Sequence, residues 1–141
     1  MNWAIRLTLG VLAWMSLTRG VDYLTGNEFD MGRLMDDNLP LPEAWGWACV
    51  VLAVVAVAAA WTGSPRVAMH AGVLGLAVNV MLAVQIFDVR MMPWPWPPED
   101  ARIVTDHLAH AAMWVIVAGD QAWREAVEKK KSLLCADYGP G

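Results

Sequence analysis

Two apolar runs separated by a single arginine constrain this chain more than any other feature. Ala44 to Pro65 is 22 residues without an Asp, Glu, Lys or Arg, and Val67 to Phe87 is another 21. A bilayer core is crossed by roughly 20 apolar helical residues, so each run is long enough to span. The turn between them, Gly63-Ser64-Pro65-Arg66, leaves room only for an antiparallel hairpin. The pattern predicts an all-α integral membrane protein.

Composition narrows the class further. Of the 141 residues, 57% are hydrophobic and 17% charged, which predicts one transmembrane domain with no soluble domain beside it. The net charge is −4, and no basic stretch offers a nucleic-acid footprint. Tryptophan is abundant, and its placement matters more than its number. Trp3, Trp45, Trp47, Trp61, Trp94, Trp96 and Trp123 lie at or near the ends of apolar stretches, where indole rings favour the headgroup level. Only Trp14 and Trp114 fall inside spans. Arg6 followed by an apolar run superficially suggests a secretory signal. No small-x-small cleavage site follows, so the segment is expected to remain as a span. Cys49 and Cys135 are too few for a disulfide framework or a zinc site, and no metal or cofactor is expected.

The flanking segments are less apolar. Between Arg6 and Arg19 the uncharged stretch is 12 residues, and between Asp106 and Asp120 it is 13. Charge placement favours four spans, near 3–23, 44–62, 67–87 and 101–123. With both termini cytoplasmic, Arg6, Arg66, Arg124 and Lys129-Lys130-Lys131 all lie inside. The outer loop 24–43 then carries Glu28, Asp30, Asp36, Asp37 and Glu43 against Arg33 alone. This obeys the positive-inside rule; a two-span arrangement breaks it at either Arg66 or the lysine cluster. The second outer loop, 88–100, contains Pro93-Trp94-Pro95-Trp96-Pro97-Pro98 and is expected to be extended. A short interfacial helix is expected around Met31–Met35, and the tail 124–141 is expected to fray after Lys131. The expected location is the bacterial cytoplasmic membrane, as an antiparallel four-helix bundle.

Two polar stripes are candidates for function. On the last helix Asp106, His110, Met113, Val117 and Asp120 share a face; on the third, His70, Leu74, Ala77, Met81 and Asp88 do so. Ionisable residues within spans usually face the bundle interior, so both stripes are expected to turn inward. One reading is a polar path lined by Asp88, Asp106, His107 and His110 on the outer half and by His70 and Asp120 on the inner half. The other is that these residues meet headgroups near helix ends, with one buried histidine bonded to a backbone carbonyl. A metal site at Asp106-His107-x-x-His110 has no firm third and fourth ligands except Asp106 itself or Asp88. Arg6 and Asp120, at similar depth on the first and last spans, are the expected interhelix charge pair, ahead of Arg19 with Asp106. Small residues let helices approach closely in lipid. Cys49, Ala53, Ala56 and Ala60 form such a stripe on the second span, and Gly72 and Gly75 another on the third. Either could serve intramolecular packing or a homo-oligomer. No nucleophile–base pattern or phosphate loop is present, so no enzyme activity is expected.

With four spans and a lone Arg early in the first, the chain resembles the small four-span membrane proteins of actinobacterial phages, which are holin-like. The resembling features are its size, the Ala/Val/Trp-rich spans, Arg19-Gly20-Val21-Asp22-Tyr23-Leu24 and the Lys-rich tail. That resemblance implies self-assembly in the cytoplasmic membrane and a lesion that releases a cell-wall hydrolase. The first and last helices would then face the lumen. Arg6-Leu7-x-Leu9-Gly10 and Gly63-x-x-Arg66 are also similar to the DoxX-like family, which implies a redox-associated role; the Glu that family carries early in its second span is missing here. A third expectation is a prophage or host accessory protein that excludes superinfecting phage or binds a membrane partner through loop 24–43 and Trp94/Trp96.

Overall fold

The computed structural model describes residues 1–25, 42–87 and 98–137. The expectations for Asp88, Trp94, Trp96, the Met31–Met35 helix, the extended prolines before Pro98 and the end of the tail lie outside them. Four helices make up the described chain: α1 (Trp3–Thr25), α2 (Pro42–Thr62), α3 (Pro65–Ile86) and α4 (Pro98–Asp137). Each starts where the sequence supplies a start signal. Asn2 Oδ1 accepts the Ala4 amide 3.4 Å away at the head of α1. The other three open on a proline, whose missing N–H deprives the first turn of nothing.

The hairpin between α2 and α3 is as tight as its sequence demands. Gly63 takes φ 66°, the left-handed conformation that ends a helix without a Cβ penalty. Its amide still donates to the Ala59 carbonyl at 3.0 Å. Ser64 then caps α3, its Oγ accepting from the Val67 amide. Pro65 and Arg66, expected in the turn, form the first turn of α3 instead. Both α2 and α3 are long and apolar enough to cross a membrane, each with a mean hydropathy of 2.0 over its most apolar stretch.

The fourth helix is longer than expected. It runs 40 residues, or about 60 Å at the usual helical rise. No glycine or proline falls between Asp120 and Asp137 to stop it, so it continues well past Trp123 and stays helical over 132–137, where fraying was expected. It also begins earlier than residue 101, because Pro98 sits at its head, the one helical position where proline is tolerated.

The helices associate as two close pairs, α1 with α2 and α3 with α4, joined mainly along α2 and α3. Small residues set both close approaches. A Cβ placed on Gly20 would sit 2.9 Å from the Gly46 carbonyl oxygen, and one on Gly72 would sit 2.7 Å from Ala118 Cβ. Gly75 opens the space that Trp114 fills: a Cβ there would overlap the indole ring. Trp114 is completely buried, packed with Leu9, Leu12, Leu52, Leu82 and Val117 in one core. Cys49, Ala53 and Ala56 are also buried and Ala60 half-buried, so the small-residue stripe on α2 faces inward. These registers make each pair antiparallel. The end that holds Arg6, Gly63 and Arg66 is called the hairpin end below.

Candidate functional site

The bundle interior is not uniformly apolar. Away from the hairpin end, a polar cluster ties three helices together around Arg19 of α1. Its Nη2 donates to Asp106 Oδ2 of α4 at 2.6 Å. Its Nη1 lies 3.3 Å from both Asn79 Oδ1 of α3 and His107 Nδ1 of α4. A guanidinium has only donors to offer, so His107 Nδ1 must present its lone pair there. Asn79 Nδ2 in turn donates to the Gly75 carbonyl at 2.8 Å, which fixes the amide with its oxygen toward Arg19.

One turn along α4, His110 completes the cluster. Its Nδ1 lies 2.7 Å from the Asp106 carbonyl, so this nitrogen donates, and its Nε2 lies 3.3 Å from Met15 Sδ of α1. His107, His110, Asn79 and Ser16 are all buried. Asp106 is half exposed and the Arg19 side chain 23% exposed, so this ion pair opens to the surrounding medium on one side. Charge-assisted bonds are the strong members of such a network. The cluster therefore joins the α1/α2 pair to the α3/α4 pair where direct packing between α1 and α4 is slight. It can hold an ion pair at the margin of the bundle and pin the two halves together.

The expected residues are sorted unevenly by this arrangement. Asp106, His107 and His110 come together, whereas His70 is exposed on the opposite side of α3 with Leu74, Ala77 and Met81. That stripe points outward because Gly72 and Gly75 must face α4 to admit Trp114. His70 lies about 200° around the helix from Gly72 at the usual rotation per residue. Asp120 is partly buried but belongs to the other end, where Arg124, one turn on, donates to it at 2.8 Å.

The expected pairing of Arg6 with Asp120 does not form. Arg6 instead lies over the turn, its guanidinium against Gly63. A closed ring of four helices would have brought Arg6 and Asp120 together; the slight packing between α1 and α4 keeps them apart. The ion pair that links those two helices is Arg19 with Asp106, which the sequence ranked second.

His107 and His110 are already engaged, one by Arg19 and one by a backbone carbonyl, and among the described residues no three His, Cys, Asp or Glu side chains converge as metal ligands. Sequence reasoning missed Asn79 and Gln121, both buried. For Asn79 the available signal was an amide inside a run free of Asp, Glu, Lys and Arg, which is costly unless it is bonded; Gln121, beside Asp120, carried no such signal. Of the expected interface tryptophans, Trp3, Trp47, Trp61 and Trp123 are exposed and Trp45 is half-buried. Cys49 is buried and Cys135 exposed, both as free thiols.

Comparison of the chain with protein-family models, with curated proteins and with solved structures gives no match.

Proposed function

We propose that the chain is a four-span protein of the bacterial cytoplasmic membrane, with both termini inside, that self-assembles and permeabilises the membrane in the manner of a holin. The observation that carries the membrane part is an apolar outer surface around a core that also encloses polar groups. The outward surface of all four helices is studded with large apolar side chains, including Trp14, Val54, Val57, Val84 and Ile116. The polar side chains Ser16, Asn79, His107, His110 and Gln121 are buried. Water selects the reverse arrangement, and hydrocarbon selects this one.

The permeabilising part rests on the resemblance together with the Arg19 cluster. In a resting monomer the cluster closes the joint between the two helix pairs. On assembly, opening that joint would turn Arg19, Asp106, His107 and His110 toward an aqueous lumen, where a charged lining is stable. Induced expression in a bacterial host with a membrane-impermeant dye tests this. Abrupt dye entry after a delay supports the proposal, and prolonged harmless accumulation of inserted protein refutes it.

One observation favours a second reading. The two segments that resemble the DoxX-like family meet, since Arg6 packs on Gly63. A redox-associated membrane protein would give quinone-dependent absorbance changes in purified membranes, which the holin reading does not require.

A further inference from the structure

A cavity of about 370 Å³ opens at the hairpin end, between the start of α3 and residues 121–128 of α4. Its wall includes Ser64, Arg66, Gln121, Arg124, Glu125 and Glu128. The deciding feature is Gln121. The residue is 1% exposed, and its Nε2 donates to Asp120 Oδ2 at 2.7 Å. That bond fixes the amide orientation and leaves Oε1 buried without a partner. An orphaned buried acceptor is costly, and Gln121 lines the cavity, so a hydrogen-bond donor held against this wall would relieve that cost.

The surrounding charges select the donor. Glu125 and Glu128 oppose a purely anionic occupant, and Arg66 and Arg124 oppose a purely cationic one. Arg66 is only loosely committed, with Nε 3.5 Å from Glu125 and its side chain largely exposed. The start of α3 adds its own positive end, which favours phosphate oxygens. A zwitterion fits all of these groups. Its ammonium would donate to Gln121 Oε1 and the glutamates, and its phosphate would meet Arg66, Arg124 and the head of α3. Trp61 and Trp123, near the cavity's lining residues in the chain, are 86% and 72% exposed, the kind of residue that marks the headgroup level.

We infer that this cavity is a binding site for a phosphoethanolamine group, supplied by the headgroup of phosphatidylethanolamine in the adjoining leaflet. The lipid source rests on the four-span reading; the pocket chemistry does not.

The test uses the full chain in detergent, with lipid retention read by native mass spectrometry. Phosphatidylethanolamine is compared with phosphatidylcholine, which keeps the phosphate but has no N–H, and with phosphatidylglycerol. The wild type is expected to retain phosphatidylethanolamine about tenfold better than phosphatidylcholine, the difference made by roughly one hydrogen bond to a charged donor. Gln121→Leu removes the orphaned oxygen without opening a void, so it should fold at least as well while losing that preference. Glu128→Gln, at an exposed position, should weaken the same preference.

Equal retention of the two lipids by the wild type overturns the inference, as does an unchanged preference in Gln121→Leu. Soluble O-phosphoethanolamine, titrated by NMR, separates the two claims. Binding that Gln121→Leu abolishes, in a protein that fails to float with vesicles, keeps the pocket and removes the membrane. A protein that floats but discriminates no headgroup keeps the membrane and removes the pocket.

Discussion

Gly72→Ala puts the close approach of α3 and α4 to a direct test. A Cβ at this position would lie 2.7 Å from Ala118 Cβ and 2.9 Å from both the Ala118 nitrogen and the Trp114 carbonyl oxygen. Carbon atoms settle about 3.5–4.0 Å apart, so the shortfall is about 1 Å. Two of the three obstructing atoms are backbone of α4, so no rotamer change relieves the overlap and the helices must separate. Overpacking of this kind costs about 1–3 kcal/mol. Against it stands the intrinsic advantage of alanine over glycine in a helix, about 1 kcal/mol.

Gly10 and Gly119 provide that reference within the same molecule, because a Cβ at either meets nothing within 4 Å. The stability of Gly72→Ala should therefore fall about 1–3 kcal/mol below that of Gly119→Ala, measured by reversible unfolding of the micelle-embedded protein in sodium dodecyl sulfate. Intrinsic fluorescence, to which all nine tryptophans contribute, serves as one probe and circular dichroism as the other. If Gly72→Ala matches Gly119→Ala in stability, α3 and α4 are not packed as described.

Other perturbations address the polar cluster and the topology. A double-mutant cycle on Arg19→Ala and Asp106→Ala should give a coupling energy of about 1–2 kcal/mol; the same cycle on Arg6→Ala and Asp120→Ala should give a coupling near zero, and the reverse outcome would restore the pairing expected from sequence. Arg19→Gln should shorten the delay before dye entry in the permeabilisation assay, since it weakens the joint between the helix pairs; an unaltered delay removes the cluster from gating. Membrane-impermeant maleimide should label Cys135 only after cells are broken and should spare Cys49 until the protein is denatured. Labelling of Cys135 in intact cells would reverse the orientation.

Much of the architecture was legible without coordinates. The hairpin follows from Gly63, Ser64 and Pro65 at consecutive positions, each with a distinct local role: a left-handed helix end, a cap and a start. These effects act over four or five residues, so sequence alone carries them. The lengths of α2 and α3 follow in the same way from uninterrupted apolar runs. The continuation of α4 to Asp137 is also carried by local sequence, through the lack of a breaker, although the expected span ended at residue 123.

Which face of a helix turns inward is a different kind of question. The stripe through His70 and the face through Gly72 and Gly75 both satisfied helical periodicity, and α3 is so apolar that polarity alone could not choose between them. The choice fell to shape: Trp114 needs a groove, and only the glycine face provides one. The partner of each arginine was likewise settled by helix adjacency. Arg6 and Asp120 belong to the same end of the bundle, yet Arg6 lies over the Gly63 turn and Asp120 has Arg124 within one turn of its own helix. Chain order determined the four described helices and placed their starts to within a few residues. Only the packing of side-chain volumes against one another decided which charges meet, because that depends on distances between segments far apart in the sequence.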